Sequence, residues 1–125
     1  EIGVRLVGSE MCIRDRHLID RGERVVPKTI EINAPEINTP RQAFEAALAH
    51  ERKVSEQIRT ITRLADEVGD LESRALLNWF LNEQVDEEAT VGEILDQLNL
   101  VGDDGSGLLR IDARLGNRDI ATPSA

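Results

Sequence analysis

Three side chains in the middle of the chain have the types and spacing for metal chemistry, Glu51, Gln84 and Glu87, with Glu83 flanking the last two and Asp86 on the adjoining helix face. Glu51 falls within an apolar series, Phe44, Ala47, Val54, Ile58, Ile61, Ala65 and Val68, whose spacings alternate between three and four apart from the gap it fills. Gln84 and Glu87 take two successive slots in a second series of the same kind, Leu77, Phe80, Val91, Ile94 and Leu98. Residues at these intervals share one face of a helix and turn toward a packed neighbour. A carboxylate placed there without a partner is costly, so it calls for a proton, a cationic side chain or a metal ion. Glu51 lies eighteen residues before Gly69 and Glu87 eighteen after it, so an antiparallel hairpin turning at Gly69 sets the two opposite each other. No Lys or Arg occurs between Arg74 and Arg110, which leaves a proton or a metal as the counter-charge. Carboxylate oxygens beside an amide suit hard or borderline cations such as iron or manganese. The competing arrangement has both Glu side chains tilting to the edge of the seam and reaching water.

The elements that must position these residues are helices. Thr39 as N-cap, Pro40 at the first helical position and Gln42 as the capping-box partner open a helix over residues 40–68. Gly69 and Asp70 break it, with Asp70 capping an antiparallel helix over 71–100. At about 1.5 Å per residue each helix spans roughly 43 Å, a length suited to a four-helix bundle. The run GDDGSG at 102–107 interrupts the chain, and a short helix follows over 108–116. Upstream, residues 23–39 contain Pro27 and Pro35 and no helical period, which reads as a long crossover loop of the kind that joins parallel helices. Residues 17–22 read as the last turn of a helix, ended by Gly22. Residues 1–16 have no clear periodicity, hold the only Met and the only Cys, and include GSEMCIRDR, which is similar to translated sequencing-adapter sequence; they are expected to be a non-native leader.

Composition narrows the function classes. Three aromatic residues and no Tyr favour an all-α chain over a sheet-rich one. A net charge of −9 argues against nucleic acid as a partner. The acidity is concentrated: Glu83, Asp86, Glu87, Glu88, Glu93, Asp96, Asp103 and Asp104 all fall in the stretch without Lys or Arg. Such a field attracts cations or simply solvates a helix face. No apolar run approaches the roughly 20 residues of a membrane span, and no secretory signal is evident, so a cytoplasmic location is expected. The single Cys12 rules out a disulfide within one chain, and haem is disfavoured because neither His has an axial-ligand setting.

The run HERKV around Glu51, then NWFLNEQVDEEA and EILDQLNLVGDDGSGLLRIDARLG, resembles the C-terminal half of bacterial non-heme ferritins over residues 17–120. That resemblance implies a ferritin-like four-helix bundle, represented here by its last two long helices, the crossover loop and the short C-terminal helix. It implies iron storage and homeostasis, in which Fe(II) is oxidised by oxygen at a dinuclear iron centre and kept as ferric mineral inside a homo-oligomeric shell. By the same resemblance Glu51 is the third-helix ligand, and Gln84 and Glu87 are the fourth-helix pair, with Gln84 positioning the bound oxygen species. Glu83 and Asp86 match a nearby third iron site, Asp86 being one methylene shorter than the family's usual Glu. Glu88 is expected to be solvated.

The family's E-x-x-H is missing: His17 follows Arg14 and His50 follows Ala47 at the relevant spacing. The first two helices of the bundle are therefore expected to be absent, ferroxidase activity is expected to belong to the parent protein, and His50 is expected on a helix surface or interface. Half a bundle should also expose a long apolar groove. The alternative function is a non-catalytic hairpin that self-associates through its seams, with Glu51 and Glu87 setting register. A third is a half-bundle that dimerises to rebuild a carboxylate-only metal site.

Overall fold

A computed structural model describes residues 12–32 and 34–117. Among the described residues there are four helices and no strand. They are α1 (12–20), α2 (Pro40–Val68), α3 (Arg74–Val101) and α4 (Gly105–Gly116). The chain divides into two compact units, Glu1–Ala34 and Pro35–Ala125.

In the first unit α1 runs from residue 12 through 20, so residues 12–16 of the expected leader are helical and continuous with the turn that follows. Their mixed composition hides a helix because most of their side chains are exposed and carry no apolar stripe. Gly22 ends α1 at φ 79°, and two backbone bonds close the end, Gly22 N–H to Ile19 O at 2.9 Å and Glu23 N–H to Leu18 O at 2.9 Å. This is a Schellman closure, which satisfies carbonyls that the helix itself leaves open.

In the second unit α2 begins as its cap residues dictate. Thr39 is extended, as a residue before proline must be, and its hydroxyl accepts from the Gln42 N–H at 3.2 Å. The Gln42 amide oxygen reaches back to the Asn38 N–H at 2.9 Å, one residue beyond the usual capping-box partner. Gly69 closes α2 at φ 73°, donating to Asp66 O, while Asp70 N–H donates to Ala65 O at 2.8 Å. The third helix starts at Arg74 rather than at 71. Asp70 does not cap it: the Asp70 carboxylate accepts from Ser73 Oγ at 2.5 Å, and Ser73 becomes the residue before the first helical turn. Arg74 at that N-terminus opposes the helix dipole, and the Asp66 carboxylate of α2 answers it at 2.8 Å. The fourth helix starts at Gly105 rather than at 108, because the Asp104 carboxylate caps it from the Gly107 N–H at 2.8 Å. At Gly107 an added Cβ would lie 2.9 Å from the Val101 side chain, so this glycine lets α4 close onto the end of α3.

The apolar core is in two parts. Near the hairpin turn Ala65, Leu77 and Phe80 are buried. At the far end Ile94, Leu98 and Ile111 form a cluster, flanked by Phe44, Val101, Leu108 and Leu115. The stripe of α2 that faces α3 matches the expected one in part, and departs from it at Ile61 and Val68. Ser55 is buried and Ile58, Thr62 and Ala65 continue its line, whereas Ile61, Leu64 and Val68 are 53%, 55% and 68% exposed. Small side chains let the two long helices approach, and the larger aliphatic stripe of α2 is left open as an apolar face.

Two expectations follow. Gly69→Ala should lose about 1–2 kcal/mol because the position is left-handed, although the added methyl has open space; Gly92→Ala, also in open space but inside α3, should gain about 0.5–1 kcal/mol. Urea unfolding of the two variants reads these opposite signs. Asp104 has its carboxyl pKa lowered below the ordinary 3.8, first by the Ser106 hydroxyl and then by the Gly107 N–H. A depressed carboxyl pKa contributes stability that is complete above the ordinary value and is lost as pH falls through the depressed one. The Gly107 amide resonance should therefore report loss of the α4 cap below about pH 4, and Asp104→Asn should abolish that acid step.

Candidate metal site

The interval between the two apolar parts of the core is polar, and the facing residues of α2 and α3 build it. Gln84 is 7% exposed and Ser55 1% exposed. The Gln84 amide nitrogen lies 3.2 Å from the Glu51 main-chain oxygen, 3.1 Å from Glu51 Oε2 and 3.3 Å from Ser55 Oγ. Ser55 Oγ in turn donates to Glu88 Oε1 at 2.5 Å. Arg52 Nε lies 3.9 Å from Glu88 Oε2. These contacts are possible because residues 51 and 55 are one turn apart on α2, and 84 and 88 are one turn apart on α3. Among the described residues no buried side-chain nitrogen or oxygen lacks a hydrogen-bond partner. A polar interval in a core is tolerable on that condition alone.

The structure brings Glu51 and Gln84 into direct contact across the seam. Glu87 is half-buried on α3, three residues after Gln84, and Glu83 is half-buried beside it, while Asp86 is exposed. His50 is exposed on α2 with Nδ1 4.0 Å from Glu51 Oε1, which matches its expected place on a helix surface. Glu88 departs from expectation. It is half-buried and tied to Ser55, because the register of the hairpin turns position 88 toward α2 rather than to water. Ser55 was not anticipated as part of this group; the one signal for it is its i+4 spacing from Glu51 on the same helix face.

Chemically the group offers oxygen donors, the carboxylates of Glu51 and Glu87 and the amide carbonyl of Gln84, with the His50 imidazole exposed beside Glu51 on the helix surface. Such a set suits iron or manganese over softer ions. Among the described residues no cluster of three or more His, Cys, Asp or Glu is arranged to hold a metal ion. Nor is any helix among them long and apolar enough to cross a membrane.

Comparison with known proteins agrees with this architecture. The sequence profile of the ferritin-like domain family matches residues 16–101. The bacterial non-heme ferritin of Staphylococcus epidermidis is 34% identical over 102 residues, which are 82% of this chain and 61% of the relative. A probable bacterial non-heme ferritin-like protein of Haemophilus influenzae is 34% identical over 101 residues, 81% of this chain and 61% of that protein. Among solved structures, an open-pore ferritin from the archaeon Archaeoglobus fulgidus superposes with a TM-score of 0.79 at 33% identity, covering 83% of this chain and 64% of the ferritin. The chain thus spans somewhat over three-fifths of the length of these relatives. With two long antiparallel helices, a capped short helix and a family match that runs through both long helices, the chain belongs to the ferritin-like domain family.

Proposed function

We propose that this chain is the C-terminal part of an iron-storage ferritin, and that Glu51, Gln84 and Glu87 are its share of a dinuclear Fe(II)-oxidising centre. The observation that carries this reading is the buried Gln84 amide held against the Glu51 carboxylate midway along the α2–α3 seam. Apolar packing would be the default there, and an acid–amide pair at that place in a ferritin-like chain is best explained by a cationic substrate.

In this reading Fe(II) is the substrate. Each iron gives up one electron and dioxygen accepts them. The protein's part is electrostatic and geometric: Glu51 and Glu87 supply negative charge in a half-buried setting where water screens it less, and this favours the higher oxidation state. Gln84, tied to the main chain of α2, fixes the distance between the two helices so that the carboxylates do not splay. Glu83 and Asp86 lie one turn apart at the edge of the same helix, where they pass ions onward or hold a third one. The remaining ligands, an E-x-x-H among them, belong to helices that this sequence does not contain. Dioxygen, a homo-oligomeric shell, a ferric mineral and a cytoplasmic location belong to the same proposal.

The open aliphatic face of α2, Ile61, Leu64 and Val68, favours a second reading, a hairpin that self-associates without metal chemistry.

Anaerobic Fe(II) calorimetry on the chain, beside Glu51→Ala and Glu87→Ala, decides between them. Saturable heat lost in both variants is the expected result, with little oxidation on admitting oxygen because half the ligands are missing. Identical isotherms for the three proteins, together with sedimentation as a stable dimer, would assign the polar seam to assembly instead.

A further inference from the structure

The direction of one hydrogen bond determines the next along Glu88, Ser55 and Gln84. A carboxylate accepts and does not donate, so the Ser55 hydroxyl hydrogen is committed to Glu88 Oε1. What Ser55 then offers to Gln84 is a lone pair. A side-chain amide has two faces of similar shape, one accepting and one donating, and only its surroundings choose between them. The Ser55 lone pair requires the NH2 end, and so do the Glu51 main-chain oxygen and Glu51 Oε2. Three acceptors on α2 thus compete for the amide hydrogens, which leaves the carbonyl oxygen of Gln84, its only atom able to ligate a cation, out of those contacts.

We propose that Ser55 and Glu88 are positioning residues that lock the Gln84 amide with its oxygen presented to the iron substrate. Neither residue ligates iron. Arg52, 3.9 Å from the second Glu88 oxygen, keeps that carboxylate in place at the outer end of the relay. This assignment rests on the proposed iron chemistry for its purpose, and on the hydrogen-bond geometry alone for the lock itself. It accounts for the complete burial of Ser55, a residue too small to contribute much apolar contact, and for a half-buried acidic side chain held on a hydroxyl rather than turned to water.

The test has two readouts on the full chain. Side-chain amide NMR of metal-free protein should show Gln84 NH2 protons in one slowly exchanging state, close to the Ser55 β protons. Ser55→Ala, which leaves only the two Glu51 oxygens as acceptors, should speed that exchange, Ser55→Thr should restore the protected state, and Glu88→Gln, whose amide can donate to the hydroxyl, should produce a second amide orientation. In calorimetry Ser55→Ala should weaken Fe(II) binding about 10- to 100-fold, the scale of losing a partner that orients a ligand, with Ser55→Thr within a few-fold of the original. An unchanged Gln84 amide in both Ser55→Ala and Glu88→Gln would overturn the lock. A released amide with unchanged Fe(II) affinity would overturn its positioning role. Absence of Fe(II) binding by the unaltered chain would remove the ligand role of Gln84, and with it the positioning role, while the amide lock would stand on the NMR result.

Discussion

The structure depends on how two long helices can share a polar stretch in the middle of their contact. Ordinarily such a pair is held by a continuous apolar seam, and an amide in its centre would weaken it. Here the Gln84 side chain is bonded to main-chain and side-chain oxygens of α2, and Ser55 relays the pairing to Glu88. The stretch is therefore neutral to stability only while it is complete. Loss of one member leaves buried groups without partners, which costs more than the bond itself contributes.

That condition explains the devices at both ends of the hairpin. At the turn, the Gly69 closure, the Ser73–Asp70 bond and the Arg74–Asp66 pair fix where α2 stops and α3 starts. At the far end, α4 folds onto Leu98 and brings Ile111 into the core. With both ends fixed, the central polar residues cannot slide past one another, and the register that pairs 51 with 84 and 55 with 88 is imposed by apolar and capping contacts some turns away. Helix ends, core and site are consequently one problem of register.

Much of this was legible in the chain. The bounds of α2 follow from Thr39, Pro40 and Gly69, and the polar interruption at Glu51 and Gln84 is visible as a fault in two otherwise apolar series. Periodicity, however, does not tell which of two stripes on a helix meets its neighbour. Ile61 and Val68 have the stronger apolar signal, yet Ser55 is buried and Thr62 half-buried while those two are exposed, in keeping with the preference of closely packed helices for small side chains. Glu88 was illegible for a related reason: one acid among three in succession gives no hint that a serine of another helix claims it. The start of α3 lies beyond the one Asp70 suggests because the Asp70 carboxylate accepts from the Ser73 hydroxyl, a side chain three residues on, and Ser73 stands before the first helical turn.

The glycines of α4 show how unlike constraints can be written with one letter. Gly105 and Gly116 have open space where a side chain would go, whereas at Gly107 the methyl of an alanine would press on Val101. Drift at 105 or 116 is therefore cheap for a lineage. Drift at 107 meets the Cβ of position 101 and the Asp104 carboxylate that caps α4, so no smaller aliphatic side chain at 101 relieves it, and the glycine is the joint at which the short helix is fastened to the long one.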